Sequence, residues 1–123
     1  MLILGTLYSK TNSRIPRQAI SKQGKRYIKW IKPPKVQKAF EDMVLQVKAL
    51  WRQPPILTPA ELICWVYYPS RRSDLDVSLL MDILQAGGVV VNDRAFHRIK
   101  ATKYIDPTNP RIEVTVRSME GDE

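Results

Sequence analysis

The chain predicts a single α+β domain, and three observations carry that prediction. Two stretches, 35–51 and 75–84, place apolar residues at steps of three and four, the period of an amphipathic helix. Two others, ILTPAELICWVYY and RIEVTVR, have the β-rich or strictly alternating character of strands. Both kinds interleave along 123 residues, a length suited to one core. We expect a mixed or antiparallel sheet of four to five strands packed by two helices, in the order strand, helix, strand, helix, strand, strand. The domain should occupy 1–118, with 119–123 as a frayed acidic tail.

The elements follow in order. MLILGTLY reads as a first strand ending about Tyr8. SKTNSRIPRQAISKQGKR is polar, basic and broken by Pro16 and Gly24, so it reads as a long loop or flap, with Tyr27, Ile28, Trp30 and Ile31 adding a short extended piece. Pro33 and Pro34 suit a helix start, Val36, Phe40, Met43, Val47 and Leu50 mark its apolar stripe to Trp51, and Pro54 and Pro55 stop it. A buried strand follows Pro59 and ends at Pro69. A second helix should start at Ser73 or Asp74, present Leu75, Leu79, Leu80, Ile83 and Leu84 to the core, and end at Gly87 and Gly88. VVVND leads into a turn, and Phe96–Ile105 and Arg111–Arg117 read as strands joined by DPTNP.

Composition narrows function before any motif does. With 44% hydrophobic and 26% charged residues the chain is neither fibrous nor wholly disordered. The single Cys64 excludes an intrachain disulfide and every multi-cysteine zinc arrangement, and reads as a core residue; His97 is the lone histidine. No apolar run approaches the ~18 residues needed to span a bilayer, and the opening apolar stretch is short for a signal peptide. We therefore expect a soluble, intracellular protein with no membrane partner.

Charge is distributed unevenly. Twenty basic against 12 acidic residues give a net +8, and residues 1–38 hold ten basic side chains and no acidic one. Such a one-sign segment favours a polyanion, nucleic acid first, because neutralising phosphates releases counterions. Tyr27 and Trp30, interleaved with Lys25, Arg26, Lys29 and Lys32, form its best aromatic-basic patch.

The scarce acids cluster in SDLD, at Asp74 and Asp76, directly after Arg71 and Arg72, with Asp93 following in VVVNDR. On the extended end of a strand, side chains two apart share a face, so Asp74 and Asp76 would meet one hard cation, with Asp93 as a third ligand. Three carboxylates and water suit Mg²⁺ or Mn²⁺, which assist phosphodiester hydrolysis by activating water and neutralising the leaving oxygen. The competing reading is structural: Ser73 with Asp76 resembles a helix capping box, and aspartates in a first turn complement the helix dipole.

The segment RRSDLDVSLLMDILQAGGVVVNDRAFHRIKATKY resembles the signature of the RusA-family Holliday-junction resolvases: basic residues, Asp-Leu-Asp, a helix with a further Asp, a Gly turn, an acidic turn, and a strand ending in Lys. More weakly, SKTNSR resembles that family's N-terminal Asn/Arg loop and RIEVTVR its closing strand. The resemblance implies a RusA-like fold in which Asp74, Asp76 and Asp93 are catalytic and bind Mg²⁺, or Mn²⁺ in its place, with no small-molecule cofactor. It implies DNA contacts at Lys10, Asn12, Arg14, Arg71, Arg72 and Lys103, to which local charge adds Lys100 as a DNA contact, leaves Asp82 as the helix acid, and points to a homodimer that nicks two strands of a four-way junction symmetrically. The setting it implies is the cytoplasm of a bacterial or phage-infected cell, in DNA recombination and repair. The sequence departs from the family pattern at Val77, where Asn usually follows the second Asp, and lacks a lysine one helical turn on, where Ser78 and Leu80 stand.

Two rival functions stay in view. One is a junction- or DNA-binding protein that keeps the fold without turnover. The other is an RNA-binding or protein-interaction module using the basic segment alone. A dimer interface is expected from the apolar second helix and the VVV segment.

Overall fold

Alternation of side chains gives the sheet one buried and one open face, and the helical stripes cover only the buried one. The computed structural model describes residues 1–10 and 15–120. Along them run β1 (Leu2–Leu4), β2 (Ile15–Ile20), β3 (Arg26–Ile31), α1 (Pro34–Leu50), β4 (Ala60–Tyr68), α2 (Ser78–Ala86), a 3-10 turn at Asp93–Ala95, β5 (Phe96–Ile105) and β6 (Arg111–Ser118). The architecture is α+β: a mixed four-stranded sheet in the order β1-β6-β4-β5, two helices, and a separate β2–β3 pair.

The core lies between the sheet and the helices. Leu62, Cys64, Val66 and Tyr68 of β4, Ile112 and Val114 of β6 and Ile3 of β1 meet Val36, Met43 and Val47 of α1 and Leu79, Leu80, Ile83 and Leu84 of α2. Each fully buried aliphatic side chain contributes about 1.5–3 kcal/mol relative to exposure. Burial pushes the Cys64 thiol up to about 11, so it is a neutral packing group.

The topology separates two ends of the molecule. β5 lies beside β4 and parallel to it, with Ala60 opposite Phe96 and Tyr68 opposite Ile105. Helix α2 is therefore the crossover that returns the chain from the C-terminal end of β4 to the N-terminal end of β5. The nine residues of β4 set those ends roughly 26 Å apart.

Four local expectations are corrected. The first strand stops at Leu4 instead of Tyr8, because Gly5 adopts φ 118° and donates its N–H to the Pro110 carbonyl at 3.1 Å, turning the chain off the sheet. The flap is an ordered hairpin; a two-stranded ribbon has outer edges, which is where Pro16 is tolerated, and Gly24 at φ 81° closes the turn. Helix α2 starts at Ser78, because Asp76 Oδ1 accepts the Ser78 N–H at 3.0 Å and so closes the chain just before the helix. Leu75, assigned to its apolar face, is consequently exposed. Finally, the α2 stripe, Val89 and Val90 are buried in the chain's own core, so of the three valines only Val91 remains exposed for a partner.

Candidate functional site

The loop after β4 is shaped by two polar anchors. Beyond Tyr68 the chain turns through Arg71 and Arg72, both exposed, and returns without regular structure through Asp74–Val77 to α2. Lys103 Nζ, on β5, donates to the backbone carbonyls of Arg71, at 3.1 Å, and Ser73. The Tyr68 hydroxyl accepts the Asp76 N–H at 3.4 Å, and the Lys103 ammonium sits 5.9 Å from the Tyr68 ring centre. Across from this loop passes the segment that Gly5 has turned off β1. Between them is a cleft of about 360 Å³ whose walls include Tyr8, Ser9, Lys35, Arg72 and Asp74.

Of the two aspartates, Asp74 is on the cleft and Asp76 is tied to its wall through Ser9. Asp74 lines it directly, and Ser9, on the facing wall, donates its hydroxyl to Asp76 Oδ2 at 2.9 Å. Partial desolvation pushes the Asp76 carboxyl up, but hydrogen bonds from Ser78, from Ser9 and from the Lys10 backbone outweigh it and hold the group below the ordinary aspartate value of 3.8. Asp76 is thus a carboxylate throughout the neutral range.

Asp93 does not join them within one chain. It opens the 3-10 turn before β5, its N–H donating to Gln85 Oε1 at 3.1 Å, while Asp76 sits before the first turn of α2. Nine helical residues at about 1.5 Å each put roughly 13 Å of helix between those two ends. Among the described residues no group of three or more His, Cys, Asp and Glu is placed to hold a metal ion. Asp93 thus stands at the opposite end of α2 from Asp76. Asp74 and Asp76 offer two carboxylates, and Mg²⁺ is commonly held by one or two together with water and substrate phosphate.

The other candidate residues divide. Lys10 forms an ion pair with Asp82 at 2.9 Å, which accounts for the helix acid. Arg72 faces the cleft and Lys103 braces its rim. Asn12 and Arg14 lie outside the described residues. His97 lies exposed at the start of β5. Three site residues went unread in the sequence: Ser9, Lys35 and Tyr68. Ser9 and Lys35 are brought to the loop only by the Gly5 turn and the first turn of α1. Tyr68 carried the one local signal, a tyrosine ending an apolar strand, where a buried ring needs a partner for its hydroxyl.

Lys100 belongs to a second cluster, at the opposite end of β4. Glu61 is only 1% exposed, although it points to the open face of the sheet. Arg117 Nε lies 2.6 Å from it, Arg98 Nη1 3.3 Å and Lys100 Nζ 3.6 Å. Desolvation raises its pKa, and the hydrogen bonds from Arg117 and Arg98 overcome this to hold it below its ordinary 4.5. A depressed folded pKa contributes stability that is present above the unfolded value and lost as pH falls through the folded one. Glu61→Gln should therefore lower the melting temperature at pH 7, with the gap to the parent narrowing below about pH 4.5. Melting curves at both pH values check this, and equal midpoints at neutral pH would remove the network from the stability of the fold.

Compared with known proteins, the chain matches no family model and no curated protein.

Proposed function

We propose that the protein is a structure-selective endodeoxyribonuclease that cuts four-way DNA junctions as a homodimer, using Mg²⁺ or Mn²⁺. The observation that carries this reading is the cleft at the C-terminal end of β4, where Asp74 and the Ser9-bound Asp76 stand beside Lys35 and Arg72. Carboxylates for a hard cation next to cations for a phosphate are what phosphodiester hydrolysis requires. Asp74 and Asp76 would hold the ion, which when bound supplies an activated water and neutralises charge on the leaving oxygen. The chain's own groups do the rest. Ser9 and Ser78 fix the Asp76 carboxylate, Lys35 and Arg72 receive the phosphate, and Lys103 keeps the loop in shape. Asp93 lies too far along α2 to serve the cleft of its own chain, so a homodimer is the arrangement in which it would contribute.

That same distance favours a second reading, a junction-binding protein without turnover. Incubation with a labelled four-way junction and a matched linear duplex, in Mg²⁺, Mn²⁺ or EDTA, separates the two. Paired nicks on the junction alone, in metal alone, are expected. Tight junction binding with no cutting in any metal would leave the binding reading and overturn the nuclease.

A further inference from the structure

We propose that the β2–β3 hairpin is a ribbon that lies in the major groove of duplex DNA. The inference shares with the reading above only the class of partner, and it stands on the arm itself. Six residue pairs run in register from Ile15 opposite Ile31 to Ile20 opposite Arg26. An isolated two-stranded hairpin is marginally stable in water, and this one leaves Ile20, Ile28 and Trp30 between 59% and 69% exposed. Its strands are built to be covered.

Charge decides by what. Arg17 stands directly opposite Lys29, a like-charge cross-strand pair that destabilises a ribbon standing alone. Lys22, Lys25 and Arg26 surround the turn, and residues 1–38 contain no acid. Among the described residues, no ion pair engages any of these five cations. A polyanion relieves the repulsion, and its phosphates supply the missing partners.

Shape and patterning choose among polyanions. Strands about 4.8 Å apart and six residues long make a ribbon roughly 20 Å in length. The major groove of B-DNA, about 12 Å wide, admits a two-stranded ribbon; the minor groove, about 6 Å wide, and the deep, narrow major groove of double-stranded RNA do not. Alternation puts Pro16, Gln18 and Ile20 on one face with Arg26, Ile28 and Trp30. On the groove floor, Ile20 and Ile28 meet thymine methyls, while Gln18 and Arg26 have the geometry for adenine and guanine edges. An anionic membrane offers the exposed Gln18 nothing comparable. Arg17 and Lys29, on the other face, reach the flanking phosphates.

Fluorescence anisotropy on a labelled linear duplex, in EDTA and across a salt series, tests this without catalysis entering. Arg17→Ala with Lys29→Ala should reduce the log–log salt slope by about 2 and weaken binding about tenfold or more at 0.1 M salt. Lys22→Ala with Lys25→Ala, which touches no strand pairing, should reduce the slope in the same way. Gln18→Ala should keep the slope and narrow the discrimination between duplexes of different sequence. Slopes unchanged in both double variants would overturn the proposal. Equal affinity for double-stranded RNA, or an arm-dependent affinity confined to anionic vesicles, would do so too. Failure of junction cleavage would not bear on it.

Discussion

Asp76→Asn is expected to abolish metal-dependent nicking of a four-way junction, by roughly 100-fold or more, while junction affinity is kept or improved. The structure separates those effects. An asparagine Oδ1 still accepts the Ser78 N–H, so the entry to α2 survives, whereas its Nδ2 cannot accept the Ser9 hydroxyl and the negative charge is gone. The hydrogen-bond change should cost about 1 kcal/mol, visible as a small fall in melting temperature and too little to unfold the domain. Affinity should hold because a carboxylate beside Arg72 repels the phosphate that Arg72 attracts. Ser9→Ala is the comparison: it keeps the charge and removes one orienting bond, so its rate should fall less. The depressed pKa of Asp76 adds a second check, since any activity change between pH 6 and 8 must then arise from another group. Nicking retained in Asp76→Asn would remove that carboxylate from the mechanism.

How far the sequence foretold this arrangement depends on the range of the interactions involved. Helix α1 and the strands β4 and β6 were legible because their period is local and nothing opposes it; α1 begins at Pro34 and β4 begins directly after Pro59, where proline chemistry placed them. The leucine pattern extends the predicted start of α2 back through Leu75, while the chain there answers to Lys103 and Tyr68, partners 30 or more residues away or on the preceding strand. Gly5 gave no warning either: its positive φ is set by a carbonyl at Pro110. The cleft inherits both blind spots. Asp74 and Arg72 stood out as scarce or clustered charges, but Ser9 and Lys35 are ordinary residues that become significant only once β1 ends early. The separation of Asp93 from Asp76 follows from β4 and β5 being parallel, and strand order is not written in local pattern.

The contact that fixes the axis of α2 yields the largest expected change in stability. Gly87, just past the helix, has an unremarkable φ of −79°, so its backbone would accept any residue. The obstacle is space: a Cβ built there would lie 2.8 Å from the Val47 Cβ and closer still to its Cγ1. A Cβ is fixed to its backbone, so no rotamer change at Val47 relieves the clash, and α1 and α2 must part. Gly87→Ala should cost about 1–3 kcal/mol, read as a melting midpoint lowered by about 4 °C for each kcal/mol. Val47→Ala alone should also destabilise, because it removes two methyl groups from a fully buried site. On that background the Cγ1 overlap is gone and only the 2.8 Å approach of the two Cβ atoms remains, so part of the strain is relieved and the double variant should be more stable than the sum of the single costs predicts. Strict additivity would mean that the valine's Cγ atoms are not what the added methyl meets. Because Asp76 is tied to the first turn of α2 and Gly87 closes its last, the same cycle run on junction nicking asks whether the helix transmits a shift at one end to the carboxylate at the other. A loss of nicking in Gly87→Ala that Val47→Ala restores would show the cleft depends on the helix axis. A lowered midpoint with normal nicking would show that Ser9 and Tyr68 hold Asp76 by themselves.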